Sequence, residues 1–249
     1  MQILFDHIVL FVDDLDESVD YFREKDFHVV YGGSHPMWGT YNALIYIGKA
    51  YLELIAIEKE HVFKNASLQP YTLHETYAIN ERANGYTRFA LRTNQSSGVA
   101  DLLKSANFDV HGPEQFSRNT RSGDTVRWQM VHAGVHDRST TLPFIIQWDI
   151  PDDVRFASLR AQNIIAPHTV GNVNVSEVHI HEGDLQQLAV FYEALHIPII
   201  MEEKHLTVEL GETKVIYYSE RLPQTKIVFK NADHSSEFTF DQTVYTIEQ

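Results

Sequence analysis

The sequence predicts an α+β protein assembled from repeated βαβββ modules. Three observations carry this: a strand-helix-strand-strand-strand order near the N-terminus, its return in a second stretch, and a weaker third copy. Residues 5–12 (FDHIVLFV) form a short apolar run rich in β-branched residues, the pattern of a buried strand. Asp13-Asp14-Leu15-Asp16 follows, where Asp14 or Asp16 can cap a helix and place acids in its first turn. Val19 and Phe22 mark that helix's apolar face, and it must end near Asp26. Strand-like runs at 27–31, 41–47 and 51–57 complete the module, punctuated by Gly32-Gly33 and Gly48.

The second copy has a strand at 86–93, a helix at 99–107 and strands at 108–110, 125–131 and 143–148. The third starts near Val175, with a helix at 185–195 and strands at 197–201, 206–210 and 214–218. Starts spaced by roughly 80 to 90 residues match one supersecondary unit that needs a partner to bury its sheet face. The division expected is 1–165, a paired domain with modules at about 2–58 and 85–150, and 166–249, a degenerate third module. The connection 58–84 holds a helix within 68–79, and 151–171 a short one at 154–162. Residues 226–249 read as further β structure, a terminal hairpin being one arrangement.

Composition narrows the function classes. The chain has 249 residues, 43% hydrophobic, enough for a substantial core. Its 20 basic against 34 acidic residues give a formal charge of −14, which disfavours nucleic acid and anionic membranes as partners. With no cysteine, disulfides, thiol catalysis and thiolate metal sites are excluded. The N-terminus lacks a signal-peptide pattern, and no apolar run is long enough to span a bilayer. A soluble, cytoplasmic protein is expected.

The opening Asp6-His7-Ile8-Val9-Leu10 and Asp14-Leu15 resemble the start of a module of the glyoxalase / bleomycin-resistance / dihydroxybiphenyl dioxygenase (vicinal oxygen chelate) superfamily. More specific is Gly32-Gly33-Ser34-His35-Pro36-Met37-Trp38-Gly39-Thr40-Tyr41-Asn42 followed by Tyr51-Leu52-Glu53-Leu54, similar to glyoxalase-like proteins. Arg121 to Trp128 and Leu142 to Asp149 extend the likeness. The resemblance covers residues 4–150 well and implies a vicinal-oxygen-chelate half-barrel with a small-molecule pocket. It also implies that a homodimer is an option, since modules of this superfamily often pair across dimers.

Strand alternation puts Phe5, His7, Val9 and Phe11 on one face and Ile8, Leu10 and Val12 on the other. The resemblance sets the first and fourth strands side by side, so His7 and Glu53 become cross-strand neighbours with Cβ atoms about 5 Å apart. They are the expected catalytic pair, either as ligands of a divalent metal (Zn, Mn, Ni or Fe) or as a hydrogen-bonded acid/base pair. In the second module Arg88 falls where His7 sits, and the counterpart of Glu53 falls near Ile145 or Gln147. Arginine is no metal ligand and glutamine is a poor one for zinc, so Arg88 points instead to an anionic substrate.

The other ligand-binding candidates are His35, Trp38, Thr40, Asn42, Arg121, Arg127, Gln147 and Trp148, with Trp128 beside Arg127. His179 and His181 share a strand face, but Glu177 aligns with His7 and no matching fourth-strand acid accompanies it. Two functions are expected to compete. One is a lyase, isomerase or dioxygenase acting on a small oxygenated, anionic substrate. The other is a non-catalytic protein that sequesters a small molecule, as in antibiotic resistance. A third reading, a structural protein whose third module docks on the first two, would require a filled pocket.

Overall fold

The structure is a computed structural model that describes residues 1–120, 123 and 125–249. The first module is β1 (Ile3–Phe11), α1 (Leu15–Glu24), β2 (Val30–His35), β3 (Thr40–Ile47) and β4 (Ala50–Ile57). Two short helices follow, α2 (Glu60–Ala66) and α3 (Leu73–Ile79). The second module is β5 (Gly85–Thr93), α4 (Ser96–Ser105), β6 (Asp109–Asn119), β7 (Thr125–Gly134) and β8 (Phe144–Trp148). After α5 (Asp152–Ala161) comes the third: β9 (Gly171–His181), α6 (Leu185–Ala194), β10 (Ile199–Met201), β11 (His205–Leu210) and β12 (Thr213–Tyr218). The chain closes with β13 (Thr225–Ala232), β14 (Ser236–Phe240) and β15 (Thr243–Ile247).

The first two modules make one eight-stranded sheet, ordered β2-β3-β4-β1-β5-β8-β7-β6. The remainder makes a seven-stranded sheet, ordered β10-β11-β12-β9-β13-β15-β14. The second order repeats the first with one strand fewer. β13 pairs antiparallel with β9 and parallel with β15, as β5 does with β1 and β8. The C-terminal stretch is thus a truncated fourth module and not an isolated hairpin. Only residues 233–235 join β13 to β14, leaving no chain for a crossover helix.

Local chemistry agrees with each element. Asp14 caps α1, accepting from the backbone N–H groups of Asp16 (2.9 Å) and Glu17 (3.0 Å), two of the donors a helix start leaves unpaired. Leu15, Val19 and Phe22 of α1 are buried in a large apolar core that both sheets share. Ile8, Leu10, Phe89 and Leu91 enter this core from the first sheet, and Val178, Ile180, Phe229 and Tyr245 from the second. Phe22 meets Phe238, Phe240 and Tyr245 of the truncated module at ring separations of 6.1, 5.1 and 5.4 Å.

The opposite face of the first sheet has its own apolar cluster, with Val9, Phe11, Ala90, Trp128, Met130, Phe144 and Ile146. Phe63, Leu73 and Tyr77 of α2 and α3 close one end of it, and Tyr77 stacks on Phe11 at 3.9 Å. The candidate site lies on this face. No helix among the described residues is long and apolar enough to cross a membrane.

Candidate functional site

The site begins with a β-bulge. Phe5 pairs with Leu91 and His7 with Ala90, so Asp6 is an extra residue on β1. An extra residue reverses the alternation of side chains at that point. Phe5 therefore joins Ile8 and Leu10 in the shared core, while His7, Val9 and Phe11 face the other way. The strict alternation expected from sequence fails at Phe5 for this reason. The bulge also lets adjacent residues meet: His7 Nδ1 and Asp6 Oδ1 are 2.7 Å apart.

Asp6 is fully buried and well connected. Its Oδ2 accepts from Trp148 Nε1 at 3.2 Å and faces Arg155 Nη2 at 3.6 Å and Arg92 Nη1 at 3.8 Å. Arg155, from α5, lies over Trp148 (4.6 Å) and Phe156 (4.5 Å). Burial pushes the Asp6 carboxyl up, but the His7 hydrogen bond, Arg155 and Arg92 outweigh it and hold the group at about 2.

On its other side His7 Nε2 faces Glu53 Oε2 at 3.4 Å. Register makes this contact diagonal: His7 lies opposite Tyr51, and Glu53 opposite Val9. Tyr51 stacks on the imidazole at 4.4 Å. Asn42 Nδ2 donates to Glu53 Oε1 at 2.5 Å. A Cβ on Gly32 would stand 2.1 Å from Asn42 Oδ1, so the glycine makes room for this amide. Burial lowers the His7 pKa, yet hydrogen bonds to Asp6 and Glu53 raise it overall to about 8. Burial raises Glu53, and its His7 hydrogen bond leads the opposing effects that bring it to about 2. At neutral pH the arrangement is an imidazolium between two carboxylates.

These groups border a cavity of about 50 Å³ lined by His7, His35, Trp38, Asn42, Glu53 and Trp148 among others. A single water needs about 10–15 Å³ on this measure, so the cavity as it stands suits a small molecule. Burial holds His35 at about 4, keeping it neutral. Thr40 lies behind the wall, its Oγ1 3.2 Å from His35 Nδ1.

Three expected residues are placed elsewhere, and one lies outside the described residues. Gln147 faces α4, where its Oε1 accepts from Ser96 N at 2.7 Å. Alternation explains this, because Phe144, Ile146 and Trp148 take the cavity face of β8. Arg127 is exposed, being one residue out of phase with the buried Trp128. Arg88 is buried on the same face and donates from Nη1 to Tyr71 O. Arg121 falls among the residues not described.

Sequence reading overlooked Asp6 as a partner of His7, because a bulge has no signature in one strand. It also overlooked Arg118, which lines the cavity and donates to Gly32 O, because β6 runs well past the expected residues 108–110.

The register also tests a resident metal. Val9 pairs with Glu53 in the first module, and Ala90 pairs with Phe144 in the second. Thr87 is an extra residue in β5 as Asp6 is in β1, which puts Arg88 in the place matching His7. The second half therefore offers arginine and phenylalanine where donors would stand. Catalytic zinc generally has three protein ligands, and no group of three or more candidate donors occurs among the described residues. The donor set among the described residues does not fit a resident divalent ion.

A sequence model of the glyoxalase-like domain matches residues 5–196. The chain belongs to this family. As a glyoxalase-like domain it carries the paired βαβββ architecture of the vicinal oxygen chelate superfamily. A hypothetical protein from Staphylococcus aureus has a similar fold over nearly the whole molecule. The TM-score is 0.87, with 99% of this chain and 100% of that one covered, at 21% identity. Methylmalonyl-CoA epimerase from Mycobacterium tuberculosis is similar over 61% of this chain and 91% of its own, at 16% identity and a TM-score of 0.42. A variant of the Streptomyces coelicolor methylmalonyl-CoA epimerase, in complex with 2-nitronate-propionyl-CoA, covers 59% of this chain and 98% of its own. Its identity is 19% and its TM-score 0.44. No curated protein matches the chain in sequence.

Proposed function

We propose that this glyoxalase-like protein is a proton-transfer enzyme of the isomerase or lyase type, acting on a small oxygenated substrate with an anionic group. The observation that carries the reading is the run Asp6, His7, Glu53, joined at 2.7 and 3.4 Å and bordering a cavity. A group with a pKa near the working pH makes an effective general acid, and His7 sits at about 8. Asp6 holds the ring in place through Nδ1, leaving Nε2 for the reacting side.

In this mechanism the Glu53 carboxylate takes the proton from the carbon beside a carbonyl. The C–H electron pair becomes the enol double bond, and the carbonyl oxygen takes the proton from His7 Nε2. Where the deprotonated carbon carries a hydroxyl, Glu53 returns its proton to the former carbonyl carbon while that hydroxyl gives its proton to His7 and becomes the new carbonyl, which completes an isomerisation. Where the next carbon beyond the deprotonated one carries a leaving group, the enol returns its O–H proton to His7, the carbonyl re-forms, the enol electron pair makes the new double bond and the leaving group departs with its own pair, which completes a lyase reaction. Arg118 at the cavity wall suits the anionic group of the substrate.

A second reading has its own support. Trp38, Trp128 and Trp148 give the cavity the aromatic wall expected of a sequestering protein.

One experiment separates the two. Small 2-oxo and 2-hydroxy acids are incubated with the protein in heavy water, and loss of C–H proton signals is followed by NMR alongside line broadening from binding. Exchange catalysed by the wild type and abolished in Glu53→Gln and His7→Gln supports the enzyme. Broadening without exchange supports sequestration. Neither effect across the panel rejects both readings for this substrate class.

A further inference from the structure

The α3 side of the same sheet face holds further buried polar side chains beside the cavity, where His74 packs on Trp38 and His132 on Phe144. Arg88, His74 and His132 are 3%, 2% and 4% exposed, and all face the interior. Arg88 Nε, His74 Nε2 and His132 Nδ1 have no hydrogen-bond partner among the described residues. Aromatic rings pack against the two histidines. His74 lies 5.1 Å from Trp38, 5.9 Å from Phe63 and 6.4 Å from Phe11, and His132 lies 6.0 Å from Phe144.

The charge balance is the decisive feature. Burial lowers the Arg88 pKa, but only to about 10, so the guanidinium stays charged. No ion pair to it occurs among the described residues, and its one hydrogen bond goes to the neutral Tyr71 O. Glu75, the nearby acid on α3, is taken by Arg138 and by Tyr71 N. Burial holds both histidines near 3, so both are neutral, and the positive Arg88 adds to the effect on His132. A neutral imidazole can carry its proton on either nitrogen, so each unpartnered ring nitrogen can be a donor. The interior thus contains a cation with no ion-pair partner among the described residues, on which Glu75 and Glu182 act only at longer range, beside two ring nitrogens that lack partners. Buried water would answer the donors but not the charge.

We propose that Arg88, His74 and His132 form an interior site for a small monoanion, of the size of a halide or formate. The α2–α3 insertion, which supplies His74, then serves as the cover of this site. Arg88 occupies the second-module place that matches His7 in the first. One half of the barrel thus carries the acid/base pair, and the other an anion held by a fixed cation. The proposal does not depend on the reaction assigned to His7 and Glu53.

Bromide is the probe. Crystals of the full chain soaked in sodium bromide should show one anomalous peak within hydrogen-bonding range of Arg88, His74 and His132. In solution, bromide should raise the unfolding temperature saturably at an ionic strength held constant with gluconate, an anion too large for the site. Formate should compete. In Arg88→Met the bromide affinity should fall about tenfold or more, because a charge-assisted contact is lost. Arg88→Lys should retain part of it. No peak in wild-type crystals overturns the proposal, even if Arg88→Met fails to fold. An equal bromide response in wild type and Arg88→Met overturns it as well. Formate that fails to compete with bound bromide would also overturn it.

Discussion

Asp6→Asn is the most informative single change. It keeps the size of the side chain and removes the charge that faces His7, Arg92 and Arg155. His7 is raised from 6.5 to about 8, a shift worth about 2 kcal/mol of folding stability at one pKa unit per 1.36 kcal/mol. A group raised on folding contributes fully below its unfolded pKa, and the contribution disappears as pH rises through the folded value. The His7 contribution is therefore complete below about 6.5 and fades through about 8. Asp6 has the opposite sign: lowered from 3.8 to about 2, it contributes above about 4 and is lost as pH falls through about 2. Both shifts describe largely the same contact, so they do not add. The variant also leaves two buried guanidinium groups without this carboxylate, and breaking a buried pair typically costs about 3–5 kcal/mol. Asp6→Asn should thus lose about 3–5 kcal/mol near pH 6 and rather less at pH 9. NMR titration should show His7 falling by at least about one unit, since burial then opposes its charge with Glu53 alone. Urea unfolding from pH 5 to 9 supplies the stability profile. A wild-type His7 that titrates at or below 6.5, or one unmoved by Asp6→Asn, would refute the reasoning.

Further predictions follow from packing and register. Gly32→Ala places a Cβ 2.1 Å from Asn42 Oδ1; it should displace the amide and lower the ligand affinity of the cavity, whereas Gly98→Ala, with no atom closer than 3.9 Å, should not. Phe22→Ala, at the junction of the shared core, should cost about 3–5 kcal/mol in denaturant unfolding. Gln147→Ala should destabilise α4 by about 1 kcal/mol, through the lost bond to Ser96 N, without altering ligand binding. Arg127→Ala, on the exposed side of β7, should leave both the unfolding midpoint and ligand binding unchanged. Elemental analysis of untagged protein should find no stoichiometric divalent ion. About one equivalent, lost in both His7→Ala and Glu53→Ala, would overturn the argument from the donor set.

The chain by itself determined whatever depends on near neighbours. Asp14 and the acids after it make a helix start anywhere, and the apolar spacing of Val19 and Phe22 aims the helix at a core. The modular repeat shows because every copy must solve the same burial problem with the same period. His7 and Glu53 could be paired only because the resemblance to glyoxalase-like proteins sets the first and fourth strands side by side, and alternation then turns both toward one face. What only the tertiary structure decided depends on register between distant strands. The extra residue Asp6 exists only relative to Leu91 and Ala90, and it turns Phe5 away from the cavity while bringing Asp6 beside His7. The phase of β8 sends Gln147 to α4 and Trp148 to the cavity, and the length of β6 brings Arg118 to the same wall. The terminal strands became a fourth module only through pairing with β9, far earlier in the chain. Alternation along one strand is a local rule. Its phase is set by hydrogen bonds to another strand, and a one-residue slip moves every side chain to the opposite face.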